Sequence, residues 1–416
     1  MTTRKIKTIT LVFILAFAAV TFLQAKESQW DVSIAFIGPA DPLYSWWGHV
    51  AIIIEDKNTG DARYYDYGNF SFDEDSFINN FTMGRLYFLK KVTRPDPQLR
   101  YSAFLNRDVT LYKLNIPEDR KIEMIRFLEN DVKPANCIYL YDHFYDNCST
   151  RIRDILNTAS GGELAKAAAS YSGKTLRQQL RRFTRGSRFM DWLLNFSMKG
   201  NVDKPATVWE SMFLPKELEA GISTLMVKDE NGQEIPFVEG KKIYNQAKGR
   251  PEIPDMPPAR WPLGFIVGAI LAALGGLMLS KAADRTAVRR LFGLFSSLIS
   301  LPLGLAGSLL LFMACFTDHN FTYWNMNLLF INPVMLVTLV FSLRLLFSRR
   351  ATLKSVNRCW MITAAGAVLA IILKIIPFCR QDNWTSILLV LLPAMVFSGL
   401  LVRIGSLAFP DKHRTL

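Results

Sequence analysis

Five long apolar stretches fill the last part of the chain and restrict what it can fold into. Each is about 20 residues long, which is the length of α-helix that crosses roughly 30 Å of hydrocarbon. Short polar loops separate the stretches, and such a succession is not expected of buried helices in a water-soluble core. The sequence therefore predicts an all-α membrane domain of five transmembrane helices over residues 261–416. The five stretches are residues 261–280, 291–314, 328–347, 359–378 and 384–404.

The basic residues of the loops predict how these helices are oriented. Loops 281–290 and 348–358 each carry four lysine or arginine residues, and the C-terminal tail carries three more. The alternate loops, 315–327 and 379–383, contain a single basic residue, Arg380. Because basic loops stay on the cytoplasmic side of a membrane, residues 26–260 are predicted to be exported. This asymmetry accounts for much of the net charge of +13, so a nucleic-acid partner is not expected.

The exported part is predicted to be an α+β domain over residues 26–250. Residues 1–25 combine a basic start with an apolar run, which is typical of a signal peptide or an N-terminal anchor helix. The β-branched run "HVAIIIE" predicts a strand, and "ARYYDYGNF" predicts its hairpin partner. Helical spacing predicts one helix over 117–132 and a basic amphipathic helix over 174–195. The proline-rich residues 251–260 predict a linker to the membrane domain.

A cysteine and a histidine of the exported domain are candidates for a nucleophile and its base. Cys148 is predicted to begin a helix that Asn147 caps, and His49 is predicted to lie at the start of a strand. A helix N-terminus and a nearby imidazole both favour the reactive thiolate form of a cysteine. The chain also offers a rival base, His143, but helical spacing would direct it away from Cys148, so His49 is preferred. A third polar group should hold the imidazole ring, and Asp66 is the best candidate on the partner strand.

Several motifs of the exported domain together resemble a known family. They are "WWGHVAIII", "YYDYGNF", "YDHFYDNCSTRIRD" and "NFSMKGNVDKPATVWESMFLP". The resemblance is to the Lnb N-terminal periplasmic domain family and covers roughly residues 30–225. The segment "FTDHNFTYWNMNLLFINP" is similar to the polar membrane segment of full-length Lnb proteins. The resemblance implies a permuted papain-like (NlpC/P60-like) fold, in which the histidine strand precedes the cysteine helix.

The resemblance also implies roles for individual residues. It makes Cys148 the nucleophile and His49 the base, while Asp66 occupies a position where asparagine is often expected. Asn147, Thr150 and Arg151 would support the start of the cysteine helix. Tyr67 is the second candidate for holding the imidazole ring, and Trp47 is counted with the supporting residues.

The predicted outer loop "DHNFTYWNMN" contains more polar groups than a turn at lipid depth usually does. Polar groups at this depth are costly and are usually functional or paired, so His319 and Asn325 are candidate substrate-binding residues that would face the cleft. An ordinary interfacial loop is the alternative. The arginines of residues 174–195 have two interpretations, a solvated helix face or a contact with anionic lipid headgroups. Cys315 and Cys379 are expected at the same outer depth, which raises the hypothesis of a disulfide.

Full-length Lnb proteins are bacterial lipoprotein N-acyltransferases, so the resemblance implies this activity. The acyl donor would be a phospholipid, and the acceptor would be the α-amine of a diacylated lipoprotein. The site would lie on the periplasmic side of the bacterial inner membrane. No cofactor is expected, and no metal site is expected because the four histidines are scattered. Two alternatives stay open: a cell-wall cysteine amidase or peptidase, and a non-catalytic membrane sensor or assembly factor.

Overall fold

The computed structural model of the protein describes residues 28–70, 77–184, 186–229, 232–282, 285–348 and 350–399. The signal peptide or anchor helix predicted for residues 1–25 lies outside the described residues. The end of the last predicted membrane stretch, from residue 400 to 404, also lies outside them.

The strands of the exported part form one large sheet and two small ones in the described residues. They are β1 (Trp30–Ile37), β2 (His49–Asp56), β3 (Asp61–Asn69), β4 (Tyr87–Thr93), β5 (Val109–Leu114), β6 (Ile138–Leu140), β7 (Tyr171–Thr175), β8 (Pro205–Thr207), β9 (Met226–Lys228), β10 (Glu234–Pro236) and β11 (Val238–Asn245). The large sheet has seven strands in the order β11–β5–β1–β2–β3–β4–β6, and every neighbouring pair is antiparallel. The predicted hairpin of β2 and β3 is confirmed.

Both faces of the central strands are buried, which explains the unbroken apolar run of β2. Val50, Ile52 and Ile54 belong to the larger core, whereas Ala51 and Ile53 belong to a smaller core on the other face. Successive side chains of a strand point to opposite faces, so a strand that is covered on both sides has no polar positions.

The helices of the exported part alternate with the strands along the chain, and several of them pack against the larger core. They are α1 (Phe77–Met83), α2 (Pro95–Phe104), α3 (Glu118–Asp131), α4 (Cys148–Ala159), α5 (Glu163–Ala167), α6 (Leu176–Arg181), α7 (Arg188–Ser197), α8 (Val208–Ser211) and α9 (Pro215–Ser223). Helix α3 contributes Leu128 to that core and α4 contributes Ile152 and Leu156. The predicted helix over 117–132 is confirmed as α3.

The C-terminal part is helical, as predicted. Its helices are α10 (Trp261–Ala282), α11 (Thr286–Phe316), α12 (Val334–Phe347), α13 (Leu353–Leu373) and α14 (Trp384–Phe397). The described residues hold four helical spans that are long and apolar enough to cross a membrane, and α14 is a shorter apolar helix. The α+β class followed by a helical membrane region is therefore confirmed.

Two of the predicted helix bounds are wrong for reasons that involve proline. Helix α12 begins at Val334 rather than at 328, because Asn332 and Pro333 form a helix start and a short 3-10 turn precedes them. Helix α13 ends at Leu373 rather than at 378, because Pro377 cannot donate a backbone hydrogen bond inside a helix.

The cysteines at the outer edge are unpaired, so the disulfide hypothesis is wrong. Cys315 and Cys379 are both free, as are the other three cysteines of the chain.

The single basic helix predicted over 174–195 is wrong. A strand precedes it, and α6 and α7 are separate helices with Gly186 and Ser187 between them. Glycine is a poor helix former, and the Ser187 side chain accepts from the Met190 amide to begin α7 anew. The sequence pattern could not distinguish two short helices of similar polarity from one long helix.

Three arginines of this segment are buried, which contradicts both interpretations that the sequence allowed. Arg177 is fully buried and forms an ion pair with Asp203, at 2.6 Å between Nε and Oδ1. Arg181 pairs with Asp191 at 2.9 Å and Arg182 with Glu217 at 2.6 Å. Their ion pairs stabilise the interior of the exported domain. The three arginines therefore form neither a solvated helix face nor a contact with lipid headgroups.

Substitution of Arg177 by methionine should lower the free energy of unfolding by about 3–5 kcal/mol, because it leaves Asp203 buried and unpaired. The measurement is thermal unfolding of the purified full-length protein in detergent. Lys174 provides the matched control, since its partner Asp255 is exposed. Lys174→Met should therefore change the stability little. Equal losses in the two variants would contradict the structural role given to Arg177.

The predicted linker 251–260 contains no helix or strand, yet it is bound to the exported domain. The Pro258 and Pro254 carbonyls accept hydrogen bonds from Arg181 and Arg182, respectively. Arg260 adds an ion pair with Asp191 at 3.0 Å. Three contacts therefore hold this segment against α6 and α7.

The outer loops of the membrane domain also contact the exported domain. The Asp382 amide donates to Asp203, and the Lys199 amide donates to the Phe321 carbonyl at 2.7 Å. Both loops with few basic residues thus lie on the side of the exported domain, which agrees with the orientation predicted from the loop charges.

Candidate active site

The first component of the candidate site is the histidine at the start of β2. His49 pairs with Ile37 of β1 in the sheet register, so its backbone is fixed by a central strand. Gly48 precedes it with φ +82°, a conformation that side chains rarely adopt. A Cβ at Gly48 would also lie 2.9 Å from the Ile37 carbonyl oxygen. Glycine is therefore required where the chain turns into the histidine strand.

An aspartate on the neighbouring strand holds the imidazole ring. The Nε2 atom of His49 lies 2.8 Å from Oδ1 of Asp66, and both side chains are mostly buried. The Gly68 amide donates to the same carboxylate oxygen at 2.7 Å. With Nε2 held in this way, the other ring nitrogen, Nδ1, is the one available to a nucleophile.

The second component is the cysteine at the start of α4. Asn147 caps this helix: its Oδ1 atom accepts from the Ser149 and Thr150 amides at 2.8 and 2.9 Å. In return, the Thr150 hydroxyl accepts from the Asn147 amide at 2.8 Å, which completes a capping box. The Asn147 side-chain nitrogen donates to the carbonyls of His143 and Phe213. Helix α4 therefore begins at Cys148, as predicted, and its first residue is firmly positioned.

The two components meet, because α4 packs against β2 and Cys148 acts electrostatically on the His49 imidazole. Burial alone would lower the pKa of His49, but Asp66 and Cys148 together raise it to about 10. Burial would raise the pKa of Asp66, whereas His49 and the Gly68 amide hold it below its ordinary value. At neutral pH His49 is therefore an imidazolium, the form that can stabilise a thiolate and later protonate a leaving group.

Gly68 is a neighbour of the site that the sequence did not single out. A Cβ built at this position would lie 2.5 Å from Cε1 and 3.0 Å from Nδ1 of His49. The glycine thus leaves room for the ring, and any side chain there would displace it.

Gly68→Ala should reduce the activity of the protein by about 10²-fold or more, since a displacement of about 1 Å can cost that much. The measurement is the rate of the catalysed reaction, together with the thermal unfolding temperature. Gly240→Ala on β11 is the control, because a Cβ there meets nothing within 4 Å. Full activity of Gly68→Ala would show that the ring does not need its observed position.

The rival base His143 occupies a different environment. Its ring packs edge-on against Trp47, Phe144 and Phe213, and Nδ1 lies 3.0 Å from the Tyr141 hydroxyl. Burial among these rings lowers its pKa to about 4, so it is neutral at physiological pH. Cys148 helps to raise the pKa of His49, whereas burial dominates the pKa of His143, which favours the base preferred from the sequence.

The remaining predicted residues of the exported domain surround the site without entering the Cys–His–Asp arrangement. Tyr67 donates from its hydroxyl to Asp131, so the second candidate for holding the ring does not contact His49. Trp47 donates to the Leu180 carbonyl at 3.3 Å and packs on His143. Arg151 pairs with Asp146 at 2.8 Å, and its guanidinium lies 4.0 Å from the centre of the Tyr139 ring.

Arg107 is a further residue near the site that sequence reasoning missed. Its Nε atom donates to the Gly38 carbonyl at 2.7 Å, one residue beyond the sheet partner of His49. Burial lowers the pKa of Arg107, while the charges of Tyr64 and Cys148 oppose this effect. It thus brings a positive charge within range of the thiol. No local pattern in the sequence marks it, because it lies in a turn between α2 and β5.

The outer loop of the membrane domain docks beside the site, but His319 does not turn towards the cysteine. The His319 ring lies at the end of α1, where a Cβ at Gly84 would come 3.0 Å from its Cγ atom. Burial lowers its pKa, and the backbone of Thr82 and Phe81 opposes this shift. A different member of the loop is closer to the nucleophile: Asn320 donates to Asp142, six residues before Cys148, at 3.0 Å.

Asn325 lies in a closed polar network rather than on a cleft wall. It is buried and donates to the carbonyls of Phe196 and Ser197 at the end of α7, both at 2.9 Å. Its oxygen accepts from Gln381 at 3.0 Å. With its hydrogen-bonding groups occupied, Asn325 joins the two domains, and the expectation that it binds substrate has no support from its contacts.

No group of three or more potential metal ligands is present among the described residues.

These features define a multi-pass membrane protein whose exported α+β domain carries a thiol, an imidazole and a carboxylate in contact. Two family models match the chain: the Lnb N-terminal periplasmic domain over residues 21–182 and the Lnb transmembrane domain over residues 262–406. Together they cover more than two thirds of the chain, and the chain belongs to the Lnb family. It is therefore a membrane protein that takes part in lipoprotein processing and has a periplasmic domain. Family membership also indicates an enzyme. No curated protein and no solved structure matches the chain.

Proposed function

We propose that the protein is a lipoprotein N-acyltransferase that works through a thioester on Cys148. The sulfur of Cys148 attacks an ester carbonyl of a phospholipid, a C–S bond forms, and the ester C–O bond breaks. His49 gives its proton to the departing oxygen, so a lysophospholipid leaves. The free α-amine of a diacylglyceryl-cysteine lipoprotein then attacks the thioester. A C–N bond forms, His49 accepts the amine proton, and the C–S bond breaks to release the Cys148 thiolate, which restores the thiolate–imidazolium pair.

The observation that carries this proposal is the grouping of Cys148, His49 and Asp66 in the exported domain. Thiol, base and orienting carboxylate are the parts that nucleophilic catalysis at a carbonyl requires. The loop that follows α11 reaches Asp142, in the segment that leads to Cys148. Both proposed substrates are anchored in the outer leaflet by their own acyl chains, so a site at this level suits them. A wall hydrolase would need no such contact with the membrane domain.

The start of α4 also supplies a donor for the oxyanion that forms at the carbonyl. The amides of Ser149 and Thr150 are taken by the Asn147 cap. The amide of Cys148 has no acceptor among the described residues, and the first amides of a helix lack partners within the helix. This amide is therefore the proposed oxyanion donor, with the positive end of the helix behind it.

The experiment uses the full-length protein in proteoliposomes, with a phospholipid that carries an isotope-labelled acyl chain and a diacylated lipopeptide as acceptor. Mass spectrometry should find the labelled chain on the peptide amine and an equivalent amount of lysophospholipid. Without the acceptor, a labelled, hydroxylamine-sensitive adduct should accumulate on the peptide that contains Cys148. Cleavage of added cell-wall peptides in place of acyl transfer would instead identify an amidase or peptidase. No reaction with either substrate would favour a non-catalytic role.

A further inference from the structure

The short helix α1 carries an exposed apolar face. None of its seven residues is buried. Ile78 is 78% exposed and Phe81 is 54% exposed, and the Phe81 ring stacks on Phe77. At 100° per residue these three side chains share one side of the helix, whereas Asn79 lies on the other. Large apolar groups exposed together on a short helix mark an interaction surface.

The end of α1 is fixed to the outer end of a membrane helix. The Asp318 amide donates to the Met83 carbonyl at 2.8 Å, and Arg85 forms an ion pair with Asp318 at 2.6 Å. Gly84 makes this approach possible, because a Cβ there would lie 2.6 Å from the His319 amide nitrogen.

These contacts set the depth of α1 relative to the membrane. Helix α11 ends at Phe316, only two residues before Asp318, and it is long and apolar enough to cross a membrane. Phe81 is two residues from Met83, which is about 3 Å along a helix axis. Phe81 therefore lies near the outer end of a membrane helix.

The outer end of α11 also carries exposed aromatic rings. Phe312 and Phe316 stack on each other at the end of α11, and Phe316 is 67% exposed. We propose that α1 lies in the outer membrane surface and inserts Ile78 and Phe81 among the lipid chains. This assigns a membrane contact to the exported domain itself, beyond those made by the transmembrane helices.

The position of α1 in the chain makes this contact relevant to the site. The helix lies between β3, which ends one residue after Gly68, and β4, whose Phe88 stacks on Tyr141 at 4.3 Å. Strand β3, which carries Asp66, therefore precedes α1 in the chain. In this proposal α1 is anchored in the leaflet.

The test places a fluorescent label on either side of α1 in the full-length protein. The variants are Phe81→Cys on the apolar side and Asn79→Cys on the polar side, each labelled with an NBD maleimide. Ile78→Cys is a second apolar-side variant in case Phe81→Cys fails to fold. The accessible native cysteines are first replaced by serine, at Cys137, Cys148, Cys315 and Cys379. Each protein is reconstituted in nanodiscs that hold one copy, and quenching by nitroxide-labelled lipids is compared with quenching by aqueous iodide.

The label at position 81 should emit at a shorter wavelength than the label at position 79. Nitroxide lipids should quench the label at position 81 several-fold more than the label at position 79. Aqueous iodide should quench the label at position 79. Iodide quenching at both positions would overturn the proposal, because α1 would then lie in water. Protection of position 81 from both quenchers would also overturn it, since another protein surface would then cover the helix. Neither readout depends on catalysis.

Discussion

Replacing Cys148 by alanine should abolish acyl transfer, with a loss of about 10⁴-fold or more, and should also abolish the labelled adduct on the enzyme. The thiol forms the covalent intermediate of the proposed reaction, and the Asn147 cap holds the helix start without it. His49→Ala should be similarly inactive, because the thiolate would lose its imidazolium partner and the leaving oxygen its proton source. Lipoprotein N-termini and lysophospholipid, measured by mass spectrometry, provide the readout.

Cys137→Ala is the matched control for this loss. Cys137 is another free, partly buried cysteine of the exported domain, and its sulfur lies 3.5 Å from the Pro134 carbonyl oxygen, away from His49. The variant should retain full activity, and all variants should accumulate to similar levels. Transfer by the Cys148→Ala protein would exclude the thioester mechanism. An inactive His143→Ala variant beside an active His49→Ala variant would show that the base has been assigned to the wrong residue.

Asp66→Ala should reduce the rate by about 10²- to 10³-fold, within the usual contribution of an oriented acid–base group. The loss should appear mainly in kcat, because Asp66 acts through His49 and does not touch the proposed substrates. Asp66→Asn retains an oxygen that can accept the hydrogen bond from Nε2, so it should recover much of the lost activity. If alanine and asparagine were equally harmful, the charge rather than the orientation would be the main contribution of Asp66.

The same pair of variants predicts the pH dependence. Because Asp66 and Cys148 raise the pKa of His49 to about 10, the imidazolium persists well above neutral pH in the native protein. Its contribution to stability is fully present below the ordinary pKa of 6.5 and is lost as the pH rises through about 10. The alkaline limb of the pH–rate profile should therefore lie near pH 10 and should move to lower pH in Asp66→Asn. An unchanged alkaline limb in the variant would show that another group controls it.

The features that could be predicted from the sequence are those that neighbouring residues determine. The run from His49 to Ile54 has a β-branched composition, and its hairpin partner follows after one turn. The start of α4 is encoded by Asn147 and Thr150, whose spacing defines the cap. Span length alone predicted the membrane helices, because hydrocarbon thickness fixes the number of apolar residues needed.

The features that were mispredicted depend on partners far along the chain. Arg177 finds Asp203, which lies 26 residues later, and Arg182 finds Glu217, which lies 35 residues later. Without those partners, a buried arginine has the same sequence signature as a solvated one. Asn325 reaches Gln381 across 56 residues in a similar way. The outer loop does hold more polar groups than a turn at lipid depth usually does. Paired and substrate-facing polar groups nevertheless have the same sequence signature until the fold brings their partners together.

The bonds from Arg181, Arg182 and Arg260 have a consequence for the kinetics of the proposed reaction. They hold residues 254–260 against the exported domain. The height of the thiol above the membrane is therefore fixed. Substrates then reach it by lateral diffusion, and encounters depend on their mole fractions in the leaflet. Diluting both substrates with inert lipid should slow turnover, whereas adding more vesicle volume at constant composition should leave it unchanged.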